Sequence, residues 1–306
     1  MKYYKQNNVN IIECSPDELS IVMKTQYKKN LKDSTYTNGN FFAKFKEKGQ
    51  LFTLPVGHLV CDIDGISAPC KYECQQRGKF QGNKYCFDSG KFSYNNPLYK
   101  KAVSTFVIQN GAAKILDLTH VDFSYQYAVA GVPIMRNGKD IKFATYVRNQ
   151  GWDASTLYAT KHIFVGLKKN NNNIFIMGWK SSTGNMISSG EAYRKFSAMG
   201  FYDVIKLDGG GSYHMKYKGA TVDTMTENRM DNAYLIIKEK TIVNNNMATT
   251  NAKPTRTLYK NDKGNDIKWV QEKLKKAGYN LEVDGSFGPA SYWAFQDFCI
   301  KQLEKL

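Results

Sequence analysis

The stretch that most constrains the fold is an apolar run that ends in a carboxylate and three consecutive glycines. Residues 204–207 lead directly into Asp208, residues 209–211 are all glycine, and Ser212 follows. The run predicts a strand that carries Asp208 to its carboxyl end. Because glycine loses the most conformational freedom on folding, three in a row indicate a backbone that another group approaches closely. The alternatives are a loop whose N–H groups hold an oxyanion and a flexible hairpin tip.

The chain is strongly basic, and the charge lies in its first part. The formal net charge is +16 over 306 residues. Residues 257–306 hold eight Lys against seven Asp and Glu, a balance of +1, which leaves +15 for residues 1–256. Such a charge is typical of proteins that bind a polyanion, although a Lys- and Asn-rich bias scattered over the surface explains it as well. No nucleic-acid motif accompanies the lysines, so we expect no nucleic-acid partner.

The sequence predicts neither a membrane span nor a secretory signal. No apolar run approaches the roughly 18 residues that a spanning helix needs. Residues 1–16 are polar and lack the apolar core of a signal peptide. We therefore expect the protein to reach any target outside the cell by another route.

Four of the six cysteines, Cys61, Cys70, Cys74 and Cys86, fall in one segment with His58. Four thiols can stay free, form two disulfides or ligate zinc. The C-x3-C spacing followed by a distant cysteine is a poor zinc pattern, and disulfides are not the default without a signal peptide. The sequence favours free thiols and leaves the other two states open.

The order of local signals predicts a large mixed domain, a linker and a small helical domain. Over residues 1–240, hairpin signals such as Asn137-Gly138 predict an α+β, hairpin-rich unit (mixed α/β) rather than a regular βαβ alternation. Ser15 begins a capping-box pattern that predicts a helix. Residues 66–100 have little periodicity, which favours an insertion or a long loop. Residues 241–256 are rich in Asn and Thr and predict a linker.

Residues 257–306 are predicted to form a small all-α domain. Ile267, Val270 and Leu274 fall on one helical face, and Pro289 suits the first turn of a second helix. The residues of this unit, above all Asp-Gly-Ser-Phe-Gly at 284–288 and Ala-Phe-Gln at 294–296, resemble the peptidoglycan-binding domain found on wall hydrolases. The resemblance implies binding to the glycan of the bacterial cell wall, with peptidoglycan and anionic wall polymer as expected partners.

Ordered motifs across residues 36–237 resemble the phosphodiester glycosidase family. Residues 38–42, Asn-Gly-Asn-Phe-Phe, are similar to the family's NGGFF, and residues 207–212 reproduce its LDGGGS. Arg229 followed by Asn232-Ala233 is similar to its R-x-x-x-NA ending, one residue shorter here. The resemblance implies hydrolysis of a sugar C1–O–phosphate bond.

One departure from the family pattern concerns phosphate handling. Where the family has HPRTAIG, residues 160–166 are Thr-Lys-His-Ile-Phe-Val-Gly, so the expected arginine falls on His162 with Lys161 beside it. The resemblance therefore places His162, and less directly Lys161, at the phosphate-facing position. A different phosphate contact or a different sugar acceptor remains open.

The implied reaction sets the roles of the candidate residues. A phosphate monoester leaves readily, so the site mainly has to stabilise positive charge on the sugar and negative charge on the departing phosphate. The predicted catalytic residues are Asp208, His162 and His214, and the predicted substrate-binding residues are Asn38, Lys161, Gly209, Gly210, Gly211, Ser212 and Arg229. Asp208 is expected to face C1 or activate water, and His214 to act as acid or base.

Each candidate also has a structural interpretation. Asp208 can cap the glycine turn, Asn38 can shape a turn, and His162 can be a buried structural histidine. Arg229 can lie on the surface or pair with Asp231. No cofactor or metal is predicted, although a divalent cation between Asp208 and one of Asp62, Asp64 and Asp117 remains open.

Together these features predict a hydrolase that cleaves a sugar-1-phosphodiester in a cell-wall glycopolymer and is held on the wall by residues 257–306. Two alternatives are an endolysin that cleaves the peptidoglycan glycan itself and a non-catalytic wall-binding protein. A wall-binding domain without a signal peptide is typical of phage-released or virion-associated enzymes. The sequence leaves open the sugar, the anomer, the stereochemical outcome and the oligomeric state.

Overall fold

A computed structural model describes the chain in two compact units, Met1–Lys240 and Thr241–Leu306. The described residues are 1–24, 27–47, 50–66, 68–93, 96–141, 147–153, 156, 161–181, 187–239, 253–254 and 257–304. The predicted linker, 241–256, lies outside the described residues except at 253 and 254.

The first unit is built mainly from strands. These are β1 (Lys2–Gln6), β2 (Val9–Cys14), β3 (Leu19–Met23), β4 (Tyr36–Asn38), β5 (Phe42–Glu47), β6 (Gln50–Pro55), β7 (Leu59–Ile63), β8 (Lys79–Gln81), β9 (Lys84–Phe87), β10 (Val103–Gln109), β11 (Ala112–Leu118), β12 (Tyr127–Ala130), β13 (Val132–Arg136), β14 (Lys139–Asp140), β15 (Lys161–Leu167), β16 (Ile174–Lys180), β17 (Asp203–Gly209), β18 (His214–Tyr217), β19 (Ala220–Thr224) and β20 (Ala233–Ile237). The helices are α1 (Ala68–Arg77) and α2 (Ser189–Ala198), and in the second unit α3 (Asn265–Lys276) and α4 (Pro289–Leu303).

Two large sheets share one apolar core. The first has the strand order β1-β2-β16-β15-β17-β13-β14, and the second has the path β11-β10-β12-β7-β3-β20-β4-β18-β19. Their facing side chains, among them Ile163 and Leu207 from the first sheet and Ile21 and Leu235 from the second, form one buried cluster. The opposite face of the first sheet is covered by α2 through Phe196. Burying both faces of this sheet fixes which side of β17 carries each residue.

The predicted fold class is confirmed. The first unit mixes long sheets with short helices, and a small helical region follows it near residues 265–303. Within the described strands the pairings are antiparallel except that of β3 with β7. The hairpin between β13 and β14 turns at Asn137 and Gly138, whose φ angles are 53° and 73°. Positive φ at both positions is the reason that Asn-Gly is favoured in such two-residue turns.

The helix predicted at Ser15 is wrong. Half of the capping box forms: the Ser15 N–H and hydroxyl donate to the Glu18 carboxylate at 2.8 and 3.1 Å, while the Glu18 N–H donates to the Ser15 backbone carbonyl. It closes a single turn, and the chain then continues as β3. The apolar run in β3 pairs with β20 and β7, so burial between two strands outweighs the local helix signal.

The long loop predicted over residues 66–100 is also wrong in part. The segment contains α1 and the hairpin of β8 with β9. Cys74 in this segment is buried, Cys86 and the preceding Cys61 are buried and free, and the side chain of Cys70 lies outside the described residues. Burial raises the pKa of Cys86 to about 12, so this thiol stays protonated. The ring nitrogens of His58 face Ser89 and the Leu118 carbonyl rather than a cysteine.

The second unit has the predicted pair of helices, joined by a buried glutamine. The two N–H groups of the Gln271 carboxamide are shared among three acceptors, with the nitrogen 2.8 Å from Asp284 Oδ1, 3.0 Å from the Ser286 carbonyl and 2.9 Å from Ser291 Oγ. Its oxygen accepts from the Gly285 N–H at 2.8 Å. One side chain thus ties α3 to the Asp-Gly turn and to the start of α4.

We expect Gln271→Ala to destabilise the second unit by about 2–4 kcal/mol, because it leaves several buried polar groups without partners. Thermal unfolding of the full chain should show a lower transition for this unit and an unchanged one for the first unit. Gln302→Ala, at an exposed position of α4, is the matched control. Equal unfolding curves for the two variants would contradict the bridging role of Gln271.

None of the described helices is long and apolar enough to cross a membrane.

Candidate active site

The Asp208 carboxylate lies at the carboxyl end of β17, as the apolar run predicts. The pairing of β15 with β17 shifts register between Lys206 and Gly209, and Asp208 lies in this irregular part of the strand, close enough for its charge to act on Lys206. Its side chain is partly exposed. Burial raises the pKa of Asp208, while the Ser212 hydroxyl, the Gly209 N–H and the charge of Lys206 act in the opposite direction. The site therefore contains a carboxyl group whose pKa lies above its ordinary value.

The glycine loop packs so closely that side chains are excluded. A Cβ at Gly209 would overlap the His162 ring and the Lys161 carbonyl, and a Cβ at Gly211 would overlap Glu227. Gly210 has φ +58°, and a single 3-10 turn spans Gly210–Ser212. The Gly209 N–H is directed at the Asp208 carboxylate. In the loop that is predicted to hold an oxyanion, at least one backbone N–H therefore donates to the carboxylate of Asp208 instead.

The loop rests on a buried lysine that the sequence did not reveal. Lys28 is fully buried, and its ammonium donates to the Gly211 carbonyl at 2.6 Å and to the Tyr213 carbonyl at 3.2 Å. Burial lowers the pKa of Lys28 to about 8, although Asp231 and Glu227 oppose the shift. This side chain fixes the carbonyl side of the loop. Lys28 and Gly211 are 183 residues apart in the sequence, so no local pattern indicates their contact.

A second carboxyl group lies beside Asp208. Asp231 is 1% exposed, and neither of its carboxylate oxygens has a hydrogen-bond partner within normal geometry in the described part of the chain. Burial raises the pKa of Asp231 well above its usual range, and the neighbouring charge of Asp208 raises it further; Ser212, Lys28 and Arg229 act against this. A buried acid without partners is more stable protonated. The structure thus brings together two carboxyl groups that compete for charge.

Arg229 approaches this pair from the side of Ser212. Its guanidinium donates to both carboxylate oxygens of Glu227, at 3.1 and 3.3 Å, and to Ser212 Oγ at 3.4 Å. Hydrogen bonding from Arg229 lowers the pKa of Glu227. A phosphate bound by Arg229, as predicted, would therefore share the guanidinium with Glu227.

Asn38 connects the two backbone segments on either side of the glycine loop. Its amide nitrogen donates to the Asp208 carbonyl at 2.8 Å, and its oxygen accepts from the His214 N–H at 3.1 Å. The side chain is fully buried. These contacts give Asn38 a positioning role for the loop, which was the structural interpretation of this residue.

His162 and Lys206 form a buried pair next to the loop. Lys206 Nζ lies 3.2 Å from His162 Nδ1 and 4.6 Å from the centre of the Phe41 ring. Both side chains are 1% exposed. Burial lowers the pKa of Lys206 to about 7, against the opposing charge of Asp208. A charged residue inside an otherwise apolar strand was visible in the sequence, and it is the signal that marks Lys206.

Lys161 and His214 are engaged in other contacts. Lys161 Nζ donates to Asp223 Oδ1 at 2.6 Å and to the Thr224 carbonyl at 3.0 Å. His214 Nδ1 lies 2.9 Å from Thr224 Oγ1, and its ring stacks on Tyr36. Burial lowers the pKa of His214 to about 4, helped by nearby lysines, so the ring is neutral at physiological pH. Their predicted contacts with substrate stay predictions.

A cation between Asp208 and the three other aspartates gains no support. Asp62 accepts from the Tyr127 hydroxyl at 2.6 Å, Asp64 pairs with Lys24 at 2.8 Å, and Asp117 accepts from Ser104. In the described part of the chain, no group of three or more His, Cys, Asp or Glu is arranged to hold a metal ion. The charged groups around Asp208 are instead Lys206 and Arg229 together with the carboxyl group of Asp231.

Comparison with known proteins identifies the second unit. Residues 263–298 match the putative peptidoglycan binding domain family. The chain carries a peptidoglycan-binding domain. This match confirms the resemblance drawn from residues 284–288 and indicates association with the cell wall. It covers a small part of the chain and leaves the first unit without a family assignment, and no curated protein matches the sequence.

Two solved structures are distantly similar to the chain. One is the catalytic domain of zebrafish N-acetylglucosamine-1-phosphodiester alpha-N-acetylglucosaminidase, auto-inhibited by its pro-peptide; identity is 13%, coverage 78% of this chain and 81% of that one, and the TM-score 0.49. The other is a hypothetical protein from Synechocystis, at 12% identity, 78% and 61% coverage and a TM-score of 0.41. Similarity of this size assigns neither activity nor substrate to this chain.

Proposed function

We propose that the first unit hydrolyses a sugar-1-phosphodiester bond in a bacterial cell-wall glycopolymer, while the peptidoglycan-binding domain keeps the enzyme at the wall. The observation that carries the proposal is the pair of carboxyl groups, Asp208 and Asp231, beside a glycine loop and flanked by cations. Glycosidases use two carboxyl groups around the sugar carbon. Phosphate recognition uses lysine and arginine donors, and the partly exposed guanidinium of Arg229 supplies one here.

The two ionisation states assign distinct roles. Asp208 is the more exposed acid and accepts hydrogen bonds from Ser212 and Gly209, which favour its charged form. It is the group that faces sugar C1 or activates a water molecule. Asp231 keeps its proton to a higher pH and provides a neutral carboxyl group next to the departing phosphate. Because phosphate is a good leaving group, this proton contributes less than it does in ordinary glycosidases.

The charge of the first unit supports an anionic substrate. Residues 1–240 carry +13 by sequence, since Lys253 and Arg256 account for +2 of the +15 on residues 1–256, and this charge attracts a polymer with a negative charge in each repeat. Neutral peptidoglycan glycan gains less from this field. An endolysin activity on the glycan itself is the second candidate, since the same carboxyl pair also suits an ordinary glycosidic bond.

One assay separates these candidates. The full chain is incubated with soluble wall teichoic acid, with a synthetic sugar-1-phosphodiester and with phosphate-free peptidoglycan, and the release of phosphomonoester and reducing ends is followed. We expect both products from the phosphodiester substrates and none from peptidoglycan. Reducing ends from peptidoglycan alone would support the endolysin. No release from any of the three would leave a non-catalytic wall-binding protein.

The anchoring role has a separate test. A chain truncated after residue 256 should no longer sediment with purified walls, whereas its turnover of the soluble synthetic substrate should be retained. Unchanged sedimentation would contradict the anchoring role of the second unit.

A further inference from the structure

A pocket of about 340 Å³ lies at the same end of the first sheet as Asp208. A row of paired residues runs across four neighbouring strands at this end: Gly209 pairs with His162, His162 with Trp179, and Trp179 with Val9. Trp179 lines the pocket, as do the residues on either side of Val9. Since neighbouring strands lie about 4.8 Å apart, β2 is roughly 14 Å from β17. If a polymer is bound at Asp208, the repeat units next to the one at Asp208 therefore reach the pocket.

The pocket is lined by groups that suit an anion with hydroxyl groups. Three lysines, Lys5, Lys180 and Lys195, line it, and Lys195 Nζ donates to the Asn7 carbonyl at 3.2 Å and lies 4.8 Å from the centre of the Trp179 ring. Two amides, Asn8 and Asn10, supply neutral donors and acceptors. Within the described residues none of these lysines has an acidic partner at salt-bridge distance. A pocket of this size falls in the usual range for small-molecule sites.

The acids of the pocket wall do not cancel this charge. Asp223 is paired with Lys161 at 2.6 Å and accepts from the Tyr213 hydroxyl at 3.1 Å. Glu191 is the other lining acid, and it lies in the first turn of α2, where the helix dipole offsets negative charge. The pocket is thus lined by three lysines and by one carboxylate, that of Glu191, that has no cationic partner in the described part of the chain.

Lys161 joins the pocket to the glycine loop. Its carbonyl lies against Gly209, while its ammonium holds Asp223 in the pocket wall. A ligand chain that passes from Asp208 to the pocket would therefore run over one continuous surface. This placement explains the ion pair of Lys161 better than a direct role at C1.

We propose that this pocket is a binding subsite for a phosphate group and its attached polyol or sugar, on the polymer segment next to the bond hydrolysed at Asp208. The proposal rests on the proposed function for the identity of the polymer. Lysine binds phosphate as a point charge, and the amides supply hydrogen bonds to hydroxyl groups. The subsite would favour polymers over short substrates, because only a polymer reaches both places at once.

Binding is measured without turnover in the full-length Asp208→Asn protein, by titration calorimetry with soluble wall teichoic acid freed from peptidoglycan. The test variant adds Lys5→Ala and Lys180→Ala, both exposed positions whose change should not disturb folding. We expect about tenfold weaker binding and a smaller loss of affinity with added salt. The control variant adds Lys139→Ala and Lys238→Ala, which are exposed, carry the same charge and do not line the pocket.

Two results would overturn the subsite: equal affinity of the two double-lysine variants, or no binding of teichoic acid by the parent protein. Failure of the proposed function looks different. If teichoic acid binds through Lys5 and Lys180 but the active enzyme releases no product from it, the subsite stands and the phosphodiesterase activity does not. If product is released but the lysine pairs behave alike, the activity stands and the subsite does not.

Discussion

Asp208→Asn should lower turnover of a sugar-1-phosphodiester by about a thousandfold while the protein stays folded. The amide is nearly the same size, so packing at the end of β17 is preserved. It cannot carry the negative charge that stabilises a cationic sugar, nor can it accept a proton from water. Losses of 10² to 10⁴ are typical when such a group is removed. The measurement is the initial rate of phosphomonoester release at saturating and limiting substrate.

Asp203→Asn is the matched control for this variant. Asp203 opens the same strand, is also partly exposed, and accepts a hydrogen bond from the Asn137 N–H at 2.8 Å. The change in charge is identical, but the residue lies at the opposite end of β17. Turnover by the control should stay close to that of the unmodified enzyme. If Asp208→Asn retained a third of the activity or more, the assignment of Asp208 as the catalytic carboxylate would be wrong.

The sequence predicted the part of this site that is local in the chain. An apolar run followed by Asp208 and three glycines fixes a strand end and a tight loop, because strand propensity and glycine conformational freedom act over a few residues. The hairpin turn at Asn137 and Gly138, which both have positive φ, follows from the same kind of short-range pattern. The fold class followed from the density of hairpin signals.

The partners of the loop could not be predicted in this way. Lys28 reaches Gly211 and Tyr213 only after two sheets have packed, and one lysine among many carries no mark of that contact. The helix expected at Ser15 failed for a related reason: half of its capping box formed, but pairing of β3 with β20 decided the structure. Contacts between sheets are set by burial over the whole unit, which no window of sequence contains.

Lys206 is an intermediate case. A lysine in the middle of an apolar strand conflicts with burial, and such conflicts between local pattern and fold occur at functional sites. The sequence therefore contains a signal for Lys206, although this lysine was not predicted as a site residue, and its pairing with His162 became known only from the pairing of β15 with β17. Sequence also showed that His162 stands where the resembling family has arginine, and the buried pair with Lys206 supplies a cationic group near that position.

Asp231→Asn should make the protein more stable at alkaline pH and less active at every pH. The pKa of Asp231 is raised in the folded state, so between its unfolded and folded pKa values the native protein binds more protons than the unfolded chain. Stability from this group is therefore present at low pH and is lost as pH rises through the folded pKa, with a slope of about 1.4 kcal/mol per pH unit. A neutral amide removes that slope.

Thermal unfolding of the unmodified protein and of Asp231→Asn, measured at pH 4.5 and pH 8.5, tests this sign. We expect nearly equal midpoints at the lower pH and a midpoint about 3 °C or more higher for the variant at the upper pH. Turnover should fall roughly tenfold to a hundredfold, because the neutral carboxyl group beside the departing phosphate is lost. The control Asp203→Asn should show neither the gain in stability nor the loss of turnover.

The opposite result has a clear meaning. If Asp231→Asn lowered the unfolding midpoint more at pH 8.5 than at pH 4.5, Asp231 would be charged in the folded protein and paired with Lys28 or Arg229. The two carboxyl groups would then both be anions at neutral pH, and the assignment of Asp231 as proton holder would fall. A buried acid that costs stability yet supports turnover is instead what a site selected for chemistry is expected to contain.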